Sequence, residues 1–141
     1  MRKVFLGFAV LMLAAVVVQF YLAAVGAFDE RPRDEAFGPH AVVGMVLLLL
    51  AVLATIVAAI ARVGGRLIGM TAAIAGLVLL QSLIRVLADA LNDSGDTSTT
   101  AGRLVFGLHA LNGLAIGGLA GNVLAEARKA ARTERPSVSA A

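Results

Sequence analysis

Residues 39–61 read "PHAVVGMVLLLLAVLATIVAAIA". Past the histidine no charged side chain interrupts the run, and leucine, valine, isoleucine and alanine hold nearly every position. A hydrocarbon core of about 30 Å takes about 20 consecutive apolar residues of helix to cross. A helix apolar on every face must be covered all round, by protein or by lipid. The stretch therefore predicts a transmembrane helix, and the fold follows from how many others accompany it.

Three more runs meet the same test, at about 4–26, 67–91 and 104–125. Between the four lie "FDERPRDEAFGP", "RVGGR" and "NDSGDTSTTAGR", each rich in charge or turn formers. Short connections make neighbouring helices antiparallel. The expected fold is all-α: a transmembrane four-helix bundle over residues 1–127, with residues 128–141 a basic, Pro-broken and disordered cytoplasmic tail. The opening "MRK", the apolar run and "VGA" have the outline of a signal peptide. The run exceeds an ordinary signal-peptide core, so a retained helix is expected.

Composition agrees: 60% of the 141 residues are hydrophobic, with mean hydropathy +0.91. No cysteine is present, which excludes disulfides, thiolate metal sites, iron–sulfur clusters and covalent c-type haem. The net charge of +3 and pI near 10.2 do not signal nucleic acid, because the basic residues flank the apolar runs. Their partner is the lipid bilayer. One side carries Arg2, Lys3, Arg62, Arg66, Arg128, Lys129, Arg132 and Arg135. The other has Arg31, Arg33 and Arg103 among Asp29, Glu30, Asp34, Glu35, Asp93 and Asp96. The lysine and arginine bias places both termini in the cytoplasm.

The only two histidines, His40 and His109, lie in "GPHAVVG" and "GLHALNG", the same frame Gly-x-His-Ala-x-x-Gly. The repeat extends further. "VVVQFYLAAVGAF" in the first span resembles "LVLLQSLIRVLADAL" in the third, with Gln19 opposite Gln81. From glutamine to histidine is 21 residues in one half and 28 in the other, so a second outer loop seven residues longer is expected. The bundle thus reads as two repeated helical hairpins related by an axis along the membrane normal. Such an axis sets His40 against His109 at one depth near the outer face, if the second and fourth spans line it.

Two imidazoles facing each other from different helices form the ligand set of a b-type haem. Gly44 and Gly113 lie one turn deeper on the same faces, where glycine leaves room for a flat macrocycle. Gly117 and Gly121 continue the stripe and are expected to pack helices. Arg85 lies within the third span, where a charge costs roughly 2.5–3.5 kcal/mol and needs a partner, either a haem propionate or Asp89 at i+4. Gln19, Tyr21, Gln81 and Asn112 can hydrogen-bond between helices or to a porphyrin edge. No phosphate loop, His-Glu-x-x-His pair or nucleophile elbow is present, and no catalytic residue is assigned.

"VVVQFYLAAVGAF", "GPHAVVG", "LLQSLIRVL" and "GLHALNG" resemble a family of small uncharacterised four-helix membrane proteins of high-GC Gram-positive bacteria, which implies the bacterial cytoplasmic membrane. The layout also resembles one half of haem A synthase, whose second and fourth helices offer histidines to a b-type haem. That resemblance carries ligand roles onto His40 and His109. Two positions differ, since Phe37 and Ala41 stand where that enzyme has glutamate and arginine. With one half present, a second haem requires a homodimer.

The expected function is a membrane b-type cytochrome holding one haem b through His40 and His109, and transferring single electrons. Its redox partner would be a quinol or a membrane or extracytoplasmic protein. The alternatives are a haem-free structural or accessory subunit, a haem carrier or sensor, and a distant haem A synthase-like enzyme.

Overall fold

The structure, a computed structural model, describes residues 1–92 and 98–132. Its helices are α1 (Arg2–Ala27), α2 (Arg33–Ala36), α3 (Gly38–Ile60), α4 (Gly65–Ala90) and α5 (Thr100–Arg132), with no strand among the described residues. α1, α3, α4 and α5 are long and apolar enough to cross a membrane, which makes this a multi-pass membrane chain. Large apolar side chains such as Val17, Leu49, Leu79 and Leu114 point outward, as a lipid-facing surface requires.

The four long helices pack as neighbours in a ring, α1 to α3 to α4 to α5 and back to α1. α3 and α5 therefore lie on one diagonal. Each presents a stripe spaced by three and four residues: Phe5, Ala9, Met12 and Val16 on α1, Leu47, Ala51, Ala54 and Ala58 on α3, Leu67, Thr71, Ile74 and Val78 on α4. α5 adds Ile116, Ala120, Val123, Leu124 and Ala127. That spacing is the seam of near-parallel helix packing, and its alanines let backbones approach closely without a hydrophobic drive between helices. Thr71 is fully buried, and its hydroxyl donates to the Leu67 and Ile68 carbonyls of its own helix. This apolar core fills the part of the bundle nearer the termini and leaves the other end to polar side chains.

The turn between α3 and α4 closes with a 6→1 bond from Val63 N–H to the Ala58 carbonyl and a bond from Arg62 N–H to the Ala59 carbonyl. This is the Schellman pattern, which wants a left-handed residue at its bend. Arg62 takes that place at φ 48°, and Gly64 follows at φ 105°. The two positions predict opposite outcomes. Arg62→Gly relieves a left-handed side chain and should stabilise by about 1 kcal/mol. Gly64→Ala should cost about 1–3 kcal/mol. Thermal unfolding in detergent, followed by circular dichroism, should move the midpoint up for the first and down for the second.

Two expectations about length need correction. The seven residues by which the second half exceeds the first are helix, not loop. The connections Phe28–Phe37 and Leu91–Thr99 are similar in length, and α5 instead starts two turns before the position at which α3 starts relative to its histidine. Thr99 sets that early start, because its hydroxyl accepts the Gly102 N–H as an N-cap. Seven residues are close to two whole turns, so His109 keeps the face that His40 has. Residues 93–97 of the second connection lie outside the described residues.

α5 also continues through Arg132, so residues 128–132 are helical rather than a disordered tail. Lys129 and Arg132 complement the negative end of the helix dipole, and Lys129 pairs with Glu126 at 2.7 Å. The rest of the expected tail, 133–141, lies outside the described residues. In the first connection, α2 follows a tight pair in which the Arg31 guanidinium bonds Asp29 and holds its carboxyl down at about 2.

Candidate functional site

The polar end of the bundle brings the two histidines face to face. The ring centroids of His40 and His109 are 6.1 Å apart with 46° between the ring planes. They meet across the α3–α5 diagonal, as the repeat requires. A metal held end-on by two imidazoles, with metal–nitrogen bonds of about 2.0 Å, places the ring centroids roughly 6 Å apart. The observed separation fits a shared axial pair. Among the described residues no three His, Asp or Glu side chains converge.

What orients each ring is also repeated. Nδ1 of His40 lies 3.1 Å from the Gln19 backbone carbonyl on α1. As a donor, Nδ1 fixes the tautomer and leaves Nε2 for a ligand, the arrangement typical of metal-binding histidine. His109 has the Gln81 carbonyl of α4 as the equivalent neighbour. That contact is not a formed hydrogen bond: Nδ1 of His109 is buried without a partner. The second half of the site is thus looser than the first.

The glutamine side chains lie over the two glycines. A Cβ on Gly44 would sit 2.9 Å from Nε2 of Gln19, and one on Gly113 would sit 3.4 Å from Nε2 of Gln81. The space the glycines open therefore holds two amides, together with the Phe20 ring at Gly113. Oε1 of Gln19 and Oε1 of Gln81 are both buried with no hydrogen-bond partner. Three orphaned buried polar atoms around one histidine pair are costly, at about 1–3 kcal/mol each, and such atoms call for a ligand, ion or water. The histidine pair and its spacing suit a porphyrin, whereas the space at the glycines is filled by the two amides and would open to a ring only on their displacement.

Other expected residues fall less centrally. Arg85 is largely exposed and lies 3.6 Å from Asp89, so the structure realises the ion-pair alternative. It remains within electrostatic range of His109. Asn112 Nδ2 donates to the Leu77 carbonyl at 2.8 Å and ties α5 to α4. Tyr21 is exposed. Gly117 packs on Val16 and Phe20 of α1, but a Cβ on Gly121 would meet nothing within 4 Å, which corrects its assignment to helix packing. Four residues overshoot one turn, so a four-spaced stripe winds off the contact face by the third step.

The repeat is one residue longer than the Gly-x-His-Ala-x-x-Gly frame. Phe37 and Phe106 each precede their histidine by three, extending the frame to Phe-Gly-x-His-Ala-x-x-Gly. Phe106 stacks on His109 at 5.3 Å and 14°, and Phe37 meets His40 edge-on at 6.3 Å and 89°. Arg33 of α2 sits over Phe106 at 5.2 Å. The signal was present in the alignment of the halves.

Gly26 secures Phe37. A Cβ there would stand 2.9 Å from the Ala36 carbonyl and 3.0 Å from the Phe37 ring. Gly26→Ala should cost roughly 1–3 kcal/mol through overpacking and displace Phe37 from His40. Unfolding midpoints measure the cost, and the His40 ring proton shifts in NMR report the displacement.

Residues 19–88 match the sequence profile of a family of unknown function (DUF6220), a stretch covering just under half of the chain. It contains Gln19, His40, Gly44 and Gln81 and stops short of His109. No curated protein and no solved structure matches the chain.

Proposed function

We propose that the chain is a membrane b-type cytochrome in which His40 and His109 hold one haem b as axial ligands. The observation that carries this reading is the 6.1 Å approach of two imidazoles from diagonal helices. The Gln19 carbonyl at His40 Nδ1 supports it. The haem would supply one-electron redox chemistry when bound. His40, with its tautomer set by the Gln19 carbonyl, and His109, with Nδ1 unpartnered, would hold it. Gln19 and Gln81 would turn their buried amides toward the ring edge, and Arg85 offers the nearest exposed cation on α4 for a propionate.

The lysine and arginine bias supports a cytoplasmic membrane location with both termini in the cytoplasm and the histidine end facing outward. One haem near one face does not span a ~30 Å core, so a quinol, an extracytoplasmic acceptor or a second haem protein completes the electron path.

One observation favours a haem-free accessory subunit: neither the cavity beside Arg2 and Lys129 nor the one beside Arg33 and Phe106 is lined by a histidine. The visible spectrum of protein purified from haem-sufficient cells separates the readings. A sharp Soret band with split α and β bands on dithionite reduction supports the cytochrome. Protein that stays colourless through haem titration overturns it.

A further inference from the structure

The opposite end of the bundle carries a second feature, independent of the haem reading. A cavity of about 310 Å³ is lined by Arg2, Val63, Leu67, Glu126, Lys129 and Ala130. We propose that it binds the phosphate of an anionic phospholipid headgroup.

Shape and chemistry agree on this ligand. The floor is apolar, since Leu67 belongs to the buried core and Val63 packs against it. The polar rim is Arg2, Glu126 and Lys129, where the bundle leaves its apolar spans. A pocket with an apolar floor and a cationic rim at that level suits a phosphodiester whose glycerol and acyl chains run back along the helices. Two helices also begin here. Arg2 opens α1 and Leu67 lies in the first turn of α4, and neither helix has a side-chain N-cap. Their uncapped N–H groups and the positive ends of their dipoles add to the field of the cations.

Among the described residues that line the cavity, Glu126 is the anionic group. Glu126 accepts a 2.7 Å bond from Lys129 and lies in the field of Arg66. A headgroup phosphate therefore competes with Glu126 for Lys129, and this fixes the sign of two substitutions. Lys129→Gln should weaken phosphate binding about fivefold, the worth of one basic residue near a charged headgroup. Glu126→Gln should strengthen it by a similar factor, because it removes the competing carboxylate and releases Lys129.

The test is thermal unfolding of the full chain in neutral detergent, titrated separately with phosphatidylglycerol, phosphatidylcholine and inorganic phosphate. The expected result is a saturable rise in midpoint with phosphatidylglycerol and none with phosphatidylcholine, with half-saturation moved up by Lys129→Gln and down by Glu126→Gln. If millimolar inorganic phosphate reproduces the rise, the anion site stands and its source is free phosphate. Equal responses to both lipids with none to phosphate overturn the proposal. So does loss of binding in Glu126→Gln, whose expected gain misfolding cannot imitate.

Discussion

Replacing both His40 and His109 by alanine is expected to give a protein that is still fully helical in detergent and carries no haem. The helical content should survive because neither ring belongs to the apolar core, which runs through Phe5, Met12, Ile74 and Val123 nearer the termini. Little stabilisation is lost with the rings. His40 gives up one hydrogen bond to the Gln19 carbonyl, worth about 1 kcal/mol, and His109 gives up none at Nδ1. The single variants should differ. His109→Ala keeps the oriented His40 and should retain some five-coordinate haem with a broadened, shifted Soret band. His40→Ala keeps only the loosely held ring and should retain less. An unchanged six-coordinate spectrum in the double variant would end the assignment of these ligands.

The second large effect has the opposite sign. Changing Gln19 and Gln81 together to methionine is expected to raise the stability of the haem-free protein. Each Oε1 is buried without a partner, and an unsatisfied buried acceptor costs about 1–3 kcal/mol. Methionine keeps the length and flexibility of glutamine and adapts to irregular packing, so the change removes the penalty with little loss of contact over Gly44 and Gly113. Unfolding midpoints in detergent should rise by several degrees. Haem retention should fall, because the amides are the polar groups nearest the ring positions. A lower midpoint in the double variant would mean that both oxygens are satisfied in solution, and the case for an incomplete site would lose its strongest support. Stability gained where function is lost is the pattern expected of a binding site.

Much of this geometry was legible in the chain. The apolar spans follow from length and hydropathy, and the facing histidines follow from the repeat once the second and fourth spans are set on the axis between the two hairpins. The roles of Gln19 and Gln81 were only half visible. Both were selected for their side chains, yet it is the Gln19 backbone carbonyl that orients His40, and no residue type announces where a carbonyl points. That Phe37 and Phe106 pack on the histidines was not legible, because a phenylalanine in a membrane chain carries no distinguishing chemistry until its ring is seen against a histidine. The early start of α5 was hidden for a different reason: "TSTTAGR" reads as turn chemistry, and a single threonine hydroxyl converts it to a helix start. For Arg85 the sequence held two partners in balance, and the structure shows the local one, Asp89.

The division of the polar cluster between the hairpins has a consequence for the origin of the chain. Gln19, His40 and Gly44 lie together within α1 and α3, and Gln81, His109 and Gly113 lie together within α4 and α5. The Phe20 ring of the first hairpin reaches over Gly113 of the second, and only the meeting of the two halves makes the pair of facing imidazoles. In genetic terms such a half is a unit that gains its purpose by being copied. Two separate hairpins associating side by side would build the same pair with perfect symmetry; here the halves are joined through the five-residue link "RVGGR" and differ, since His40 Nδ1 meets the Gln19 carbonyl while His109 Nδ1 is buried without a partner.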